Sequence, residues 1–271
     1  MPDNRAIGVF DSGLGGLTVV KEIVKQLPCE NIVYFGDTGR VPYGNRGEEV
    51  IRRYAAQDCR FLLSQDVKMI IAACGTVSSV APSVLSSLPV PAFGVVEPTA
   101  AAAVAASKSG RIGVIGTAAT VKSGSYATAI RALSPEATVL GQECPLFVPL
   151  VENGWIAEDD PVAALTVERY LRPLGEQRID TLILGCTHFP LLIPHIRAYL
   201  GEDVALISAG DEAAKACVTA LEQADSLAPA EQEGETTFYV SDKSQNFAAV
   251  ANIFLGRPVA ENIHRVDIHS L

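Results

Sequence analysis

Two apolar segments of the chain have the length of a buried strand, and each ends in a cysteine. The first runs from Met69 to Cys74 and the second from Thr181 to Cys186. Small hydroxyl residues that can cap a helix follow each cysteine, so both segments predict a strand that leads into a helix. Open α/β sheets bind ligands at the carboxyl ends of their strands, and helix N-termini stabilise thiolates there. The repeated pattern therefore predicts two thiols that folding brings together as acid and base groups.

Strand-like and helix-like segments alternate along the chain, which predicts an α/β fold of doubly wound type. Residues 111–117 resemble residues 6–12, and each of these opening strands precedes its cysteine by a similar distance. The similar spacing predicts two pseudo-symmetric α/β lobes.

Further elements are predicted from hydrophobic periodicity and from turn residues. Besides the cysteine-bearing segments, we expect strands at 7–10, 31–35, 90–96, 111–117, 138–140 and 236–240, and helices at 17–26, 48–64, 126–133, 161–174, 211–222 and 246–255. We expect Glu97 and Pro98 to end the strand at 90–96, and residues 225–235 to form a surface loop.

Composition limits the class of protein. The 271 residues are 48% hydrophobic, which suffices for one large domain or two ordinary ones. No apolar run reaches transmembrane length and no signal peptide precedes the first strand, so we expect a cytoplasmic protein without a membrane partner. The net charge of −10 argues against nucleic-acid binding, although helix N-termini and hydroxyls can still hold a small anion. The six cysteines form no C-x-x-C pair, and we expect no disulfides.

The glycine-rich loop after the first strand does not match a nucleotide-binding pattern. Thr18 stands where a dinucleotide fingerprint needs its third glycine, and there is no Walker loop. Asp11 in this loop either caps the following helix or acts as the charged partner of a catalytic group. The histidines have no metal-ligand spacing, so we expect neither a metal nor a cofactor.

The segment from Cys186 to His188 adds chemistry to the second thiol, since a histidine two residues away can hydrogen-bond the thiol or a ligand. A thiolate and a thiol on opposite sides of one carbon can remove a proton from one face and return a proton to the other. That exchange inverts a stereocentre without a cofactor.

Five separated motifs together resemble the glutamate racemase family of the aspartate/glutamate racemase superfamily. They lie at residues 11–16, 36–44, 74–76, 144–152 and 184–190. The resemblance implies a cofactor-independent isomerase that supplies D-glutamate for peptidoglycan and forms a homodimer. It also implies an active site between the two lobes, the first built from residues 1–97 and 211–271 and the second from residues 98–210.

The resemblance also implies roles for individual residues. Cys74 would abstract the α-proton of D-glutamate with help from Asp11. Cys186 would abstract that of L-glutamate with help from His188 and Glu152. The expected substrate-binding residues are Asp11, Ser12, Tyr43, Gly44, Gly75, Thr76, Thr117, Thr120, Thr187 and His188.

The chain departs from the family pattern at Gly75, where asparagine is usual. A lost hydrogen bond to a charged partner costs about 1.5 to 3 kcal/mol, which lowers affinity without abolishing chemistry. Two alternatives therefore stay open at the level of sequence. One is a racemase of aspartate or another amino acid, and the other is a non-catalytic module that binds an amino acid.

Overall fold

The computed structural model describes residues 2–242, 247–256 and 263–268. Within these residues the chain forms two parallel sheets flanked by helices. The strands are β1 (Ile7–Asp11), β2 (Ile32–Gly36), β3 (Met69–Ala72), β4 (Ala92–Gly94), β5 (Arg111–Gly116), β6 (Thr138–Glu143), β7 (Thr181–Leu184), β8 (Ala205–Ser208), β9 (Thr236–Val240) and β10 (Ile263–Arg265). The helices are α1 (Leu17–Gln26), α2 (Glu48–Ser64), α3 (Gly75–Val80), α4 (Pro82–Ser86), α5 (Val96–Ala106), α6 (Ala118–Ser123), α7 (Ser125–Leu133), α8 (Phe147–Glu152), α9 (Pro161–Glu176), α10 (Ile193–Leu200), α11 (Ala209–Gln223) and α12 (Phe247–Leu255). Short 3₁₀ turns lie at Tyr43–Asn45 and Phe189–Leu192.

The first sheet has the strand order β10-β9-β2-β1-β3-β4, and the second has the order β6-β5-β7-β8. All neighbouring strands are parallel, so the α/β expectation with two doubly wound parallel sheets is confirmed. In each sheet the opening strand pairs with the strand that carries the cysteine. Ile7 of β1 is opposite Met69 of β3, and Ile112 of β5 is opposite Thr181 of β7. Cys74 and Cys186 therefore occupy equivalent places, just beyond the carboxyl ends of central strands.

Burial explains why the cysteine-bearing segments form strands. Every residue of β3 and β7 is buried, as expected for parallel strands covered by helices on both faces. Helix α1 turns its apolar side chains, Leu17, Val20 and Ile23 among them, into the same core. One continuous buried cluster includes residues of both sheets, such as Val9 and Leu184, so the two sheets share a hydrophobic core.

The chain crosses between the sheets at two helices. Helix α5 packs against α7 and β7 of the second sheet, whereas α11 packs against α1 of the first. Strands β9 and β10 then join the first sheet. The expected lobe boundaries, after residues 97 and 210, lie in the first turns of α5 and α11.

The structure corrects the strand expected at 90–96. Strand β4 covers only Ala92–Gly94, and α5 begins at Val96. Glu97 and Pro98 lie in the first turn of this helix and do not end the strand. A carboxylate is favourable in a first turn, and the N–H that proline lacks would have no helical partner there. The sequence pattern did not indicate the half-buried β8, and β6 continues to Glu143, beyond its expected end at residue 140. Asn246, the expected start of the last helix, lies outside the described residues.

Within the described ranges, no helix combines the length and the apolar character that crossing a bilayer requires.

Candidate active site

A cavity of about 240 Å³ lies between the carboxyl ends of the two sheets. Cys74, after β3, and Cys186, after β7, both line it. The cavity wall includes every predicted site residue except Thr120: Asp11, Ser12, Tyr43, Gly44, Cys74, Gly75, Thr76, Thr117, Glu152, Cys186, Thr187 and His188. Folding therefore gathers the two cysteine motifs and the glycine loop around one space.

The first thiol lies deep in this wall beside a buried carboxyl group. Cys74 is 5% exposed, and its Sγ lies 3.5 Å from Ser12 Oγ. Asp11 Oδ2 accepts a hydrogen bond from the Gly16 N–H at 2.8 Å, while Oδ1 has no hydrogen-bond partner within the described residues. Burial raises the pKa of Cys74 to about 12, and the charge of Asp11 adds to this effect. Burial also raises the pKa of Asp11.

These effects oppose one influence that was expected to act on Cys74. The position beside a helix N-terminus was expected to stabilise a thiolate, and Cys74 is indeed the residue that precedes α3. Desolvation and the neighbouring carboxyl group outweigh that influence, because both disfavour a second negative charge. Both effects raise the pKa of the Cys74 thiol in the ligand-free site.

The second thiol lies at one end of a polar chain. Cys186 Sγ is 3.8 Å from His188 Nδ1, and His188 Nε2 is 3.0 Å from Glu152 Oε1. Burial lowers the pKa of His188, but the hydrogen bonds with Cys186 and Glu152 outweigh burial and raise that pKa to about 10. The sequence analysis missed Phe254 of α12, whose ring packs edge-on against the His188 ring at 4.9 Å between centroids.

Hydroxyl groups connect the two sides of the cavity. Thr76 Oγ1 lies 3.0 Å from Thr117 Oγ1, which in turn lies 3.1 Å from Thr120 Oγ1. Thr120 thus stands behind Thr117 and does not reach the cavity. The single hydroxyl hydrogen of Thr18 is shared between the Gly15 carbonyl at 2.9 Å and the Thr187 carbonyl at 3.2 Å. A hydroxyl residue after Cys74 was expected to cap α3. The hydroxyl of Thr76 does not do so, because it points across the cleft to Thr117.

Tyr43 lines the cavity, but its hydroxyl group points into a buried polar network. Its hydroxyl lies within hydrogen-bond distance of the carboxyl groups of both Asp37 and Asp58, and therefore does not face a ligand. Arg40 Nε lies 2.5 Å from Asp37 Oδ2, and its Nη2 lies 2.9 Å from Asp58 Oδ1. This buried network, which the sequence analysis missed, holds the turn that presents Gly44 to the cavity.

No metal site is evident in the part of the chain that the structure describes, since no three His, Cys, Asp or Glu side chains are grouped to hold an ion.

Comparisons with known proteins agree with this geometry. A family profile for Asp/Glu/hydantoin racemases matches residues 7–217. The glutamate racemase of Geobacter metallireducens is 45% identical over 267 residues, which cover 98% of each chain. The crystal structure of the Francisella tularensis glutamate racemase with D-glutamate superimposes with a TM-score of 0.92 at 36% identity, over 99% of this chain and all of the other. The Thermus thermophilus glutamate racemase, solved with β-chloro-D-alanine, gives a TM-score of 0.89 at 42% identity over the whole of both chains. With this sequence similarity, the same two-lobed fold and a thiol on each side of one cleft, the chain belongs to the Asp/Glu/hydantoin racemase family.

Proposed function

We propose that this protein interconverts L- and D-glutamate without a cofactor, by passing protons through Cys74 and Cys186 on opposite faces of the substrate α-carbon. The observation that carries the proposal is that two thiols from two different sheets line one small cavity. The glutamate racemases to which the chain is similar over nearly its full length support glutamate as the substrate.

The electrostatics of the two thiols support a division of labour. Starting from L-glutamate, the Cys186 thiolate beside protonated His188 takes the α-proton, and the electron pair of the C–H bond delocalises onto the substrate carboxylate. The Cys74 thiol then donates its proton to the opposite face. The product is D-glutamate, with Cys186 as the thiol and Cys74 as the thiolate. The reverse reaction runs through the same steps from Cys74. Each positioned acid or base contributes about 10² to 10⁴-fold to the rate.

The remaining wall residues suit a dicarboxylate with one amino group. The hydroxyls of Ser12, Thr76, Thr117 and Thr187 and the backbone at Gly44 are positioned to hold carboxylate oxygens. The Asp11 carboxyl group, which lies in the cavity wall beside Cys74, suits the substrate ammonium group. That positive charge would also lower the pKa of Cys74 and so allow it to form a thiolate once substrate is bound.

Hydrogen exchange tests the proposal directly. In deuterated water, purified protein should replace the α-hydrogen of both glutamate enantiomers with deuterium and convert each into the other. A panel of amino acids ranked by kcat/KM should place glutamate first. A preference for aspartate would identify aspartate as the substrate instead of glutamate. Tight glutamate binding without exchange would support a non-catalytic binding module. No exchange with either enantiomer would refute racemase activity.

We further propose that the enzyme is a cytoplasmic source of D-glutamate for peptidoglycan. Depletion of the protein should then produce a requirement for D-glutamate that external D-glutamate relieves. Growth without that requirement would contradict this role.

We also propose two lobes, residues 1–97 with 211–271 and residues 98–210, and assembly as a homodimer. The packing of α5 against α7 and β7, and of α11 against α1, supports this division. The exposed apolar side chains of Leu146, Trp155, Val162 and Leu165 support a contact between copies. Light scattering on the purified protein should give twice the chain mass, and a monomer at micromolar concentration would contradict the dimer.

A further inference from the structure

The imidazole of His188 is enclosed by segments that belong to both sheets. His188 follows β7 of the second sheet and is 7% exposed. The glycine loop after β1 of the first sheet lies against it. Helix α12, which lies between β9 and β10 in the chain and packs against α1, contacts it as well. The histidine beside the second thiol is therefore in contact with segments that the first sheet carries.

Polar contacts alone do not fix which way the His188 ring faces. His188 Nδ1 lies 3.8 Å from Cys186 Sγ and 3.3 Å from Thr187 Oγ1, so two groups compete for one ring nitrogen. His188 Nε2 lies 3.0 Å from Glu152 Oε1, but the Glu152 side chain is 47% exposed and can follow a ring that turns. A turn of the ring towards Thr187 would take Nδ1 away from Cys186.

Two contacts without hydrogen bonds restrict that rotation. Phe254 of α12 is 1% exposed, and its ring meets the His188 ring at 82° with 4.9 Å between the centroids. A Cβ atom on Gly15 would lie 2.7 Å from both Nδ1 and Cε1 of His188, so the Gly15 backbone lies directly against that edge of the imidazole. Close packing of this kind holds a side chain in one rotamer.

We propose that Phe254 is a positioning residue for the second thiol, because its ring keeps His188 Nδ1 turned towards Cys186. Without that ring, Nδ1 would turn to the Thr187 hydroxyl. Within the described residues, the titratable groups that interact with the imidazole are Asp11, Glu152 and Cys186. Phe254 adds no charge to this set, so it acts through the orientation of the ring. The role in orientation stands on these contacts alone, whereas an effect on the rate rests on the racemase activity proposed above.

Nitrogen NMR of isotope-labelled histidine measures the orientation without relying on turnover. The sequence has four histidines, and His188→Gln identifies the His188 signals. The Nδ1 signal and the pKa of His188 are followed in the substrate-free parent and in Phe254→Leu as the pH is raised through about 10. Phe61→Leu is the matched control, because it makes the same change at a buried phenylalanine of α2 whose ring lies 5.0 Å from the Tyr239 ring.

In Phe254→Leu we expect the pKa of His188 to fall from its value of about 10. The hydrogen bond with Cys186 helps to raise that pKa, and losing a bond of this strength to a charged group corresponds to about one to two pH units. The Nδ1 signal should move as well. Phe61→Leu should lose comparable stability in urea yet keep the parental pKa and Nδ1 signal, which separates orientation from destabilisation. If Phe254→Leu does not fold, Phe254→Met tests the same loss of the ring, because the flexible methionine side chain fills irregular gaps.

A second substitution tests the competition for Nδ1. Thr187→Val removes the competing hydroxyl and keeps the shape of the side chain. Phe254→Leu combined with Thr187→Val should therefore have the same His188 pKa as Thr187→Val alone, because Nδ1 then keeps Cys186 as its partner. A pKa that falls in both backgrounds would refute the competition on which the proposal depends.

A parental pKa and a parental Nδ1 signal in Phe254→Leu would overturn the proposal. A higher pKa would also overturn it, because it would show that the ring only excludes water. We further expect kcat/KM to fall about tenfold in Phe254→Leu, the loss of about one hydrogen bond, and to stay parental in Phe61→Leu. An unchanged kcat/KM would refute the effect on the rate. If the parent exchanges no α-hydrogen, the racemase proposal fails, but the histidine spectra still decide the role of Phe254.

Discussion

Replacing Glu152 by glutamine tests the polar chain behind the second thiol. The Glu152 carboxylate lies 3.0 Å from His188 Nε2. At an effective dielectric constant of about 20, two opposite charges at this distance interact by about 5 to 6 kcal/mol. The Glu152 side chain is 47% exposed, however, and exposed pairs contribute at most about 1 kcal/mol. Because His188 itself is buried, we expect an intermediate effect of about 1 to 2 kcal/mol, or roughly one pKa unit.

This loss should lower kcat/KM by about 5- to 30-fold, at 1.4 kcal/mol per tenfold change. The decrease must be equal in both directions, since the equilibrium constant between two enantiomers in water is one. The asymmetry should appear in the isotope effect. With α-deuterated L-glutamate the primary isotope effect should increase, because abstraction by Cys186 becomes slower, while the effect with D-glutamate should increase less. The alkaline limb of the kcat/KM profile, which His188 with its pKa of about 10 helps to set, should move down by roughly one pH unit.

Glu168→Gln is the matched control, because it removes an exposed carboxylate that lies 2.9 Å from Arg172 and far from the thiols. It should keep the parental kcat/KM, isotope effects and pH profile. An unchanged kcat/KM with equal isotope effects in Glu152→Gln would refute the role assigned to the carboxylate.

The other predictions concern the thiols, the buried network and alkaline stability. Cys74→Ala and Cys186→Ala should each lose racemisation by at least about 10²-fold, while Cys74→Ala still exchanges L-glutamate and Cys186→Ala still exchanges D-glutamate, as read by NMR in deuterated water. Exchange of both enantiomers by either variant would contradict the assignment of faces. Arg40→Met should destabilise the protein by about 3 to 5 kcal/mol in urea denaturation, because it removes the cation from the buried Asp37 and Asp58, and a loss below about 1 kcal/mol would contradict this. The raised pKa of His188 should stabilise the fold fully below its ordinary pKa of 6.5 and progressively less as pH rises through about 10. The Tm should therefore decline over this range more steeply in the parent than in His188→Gln, and parallel curves would contradict this.

Local sequence determined most of the secondary structure. Helices α1 and α2 begin and end at the predicted residues, because their apolar periodicity is strong and their ends are marked by glycine or by turn residues. The two strands before the cysteines were also predictable, since an apolar run of this length between turn-forming residues is too short for a typical helix. Where the pattern is weak, as in β4 and β8, tertiary contacts decided the outcome.

The sequence also named twelve of the residues that line the cavity, most of them through the resemblance of its motifs to the glutamate racemase family. It did not determine their state or their contacts. The raised pKa of Cys74, the hydrogen-bonded hydroxyl of Tyr43 and the place of Thr120 behind Thr117 appear only in the folded protein. Desolvation, charge proximity and the contact of Phe254 with His188 depend on distances between segments far apart in the chain, and only the packing of two lobes against each other sets those distances.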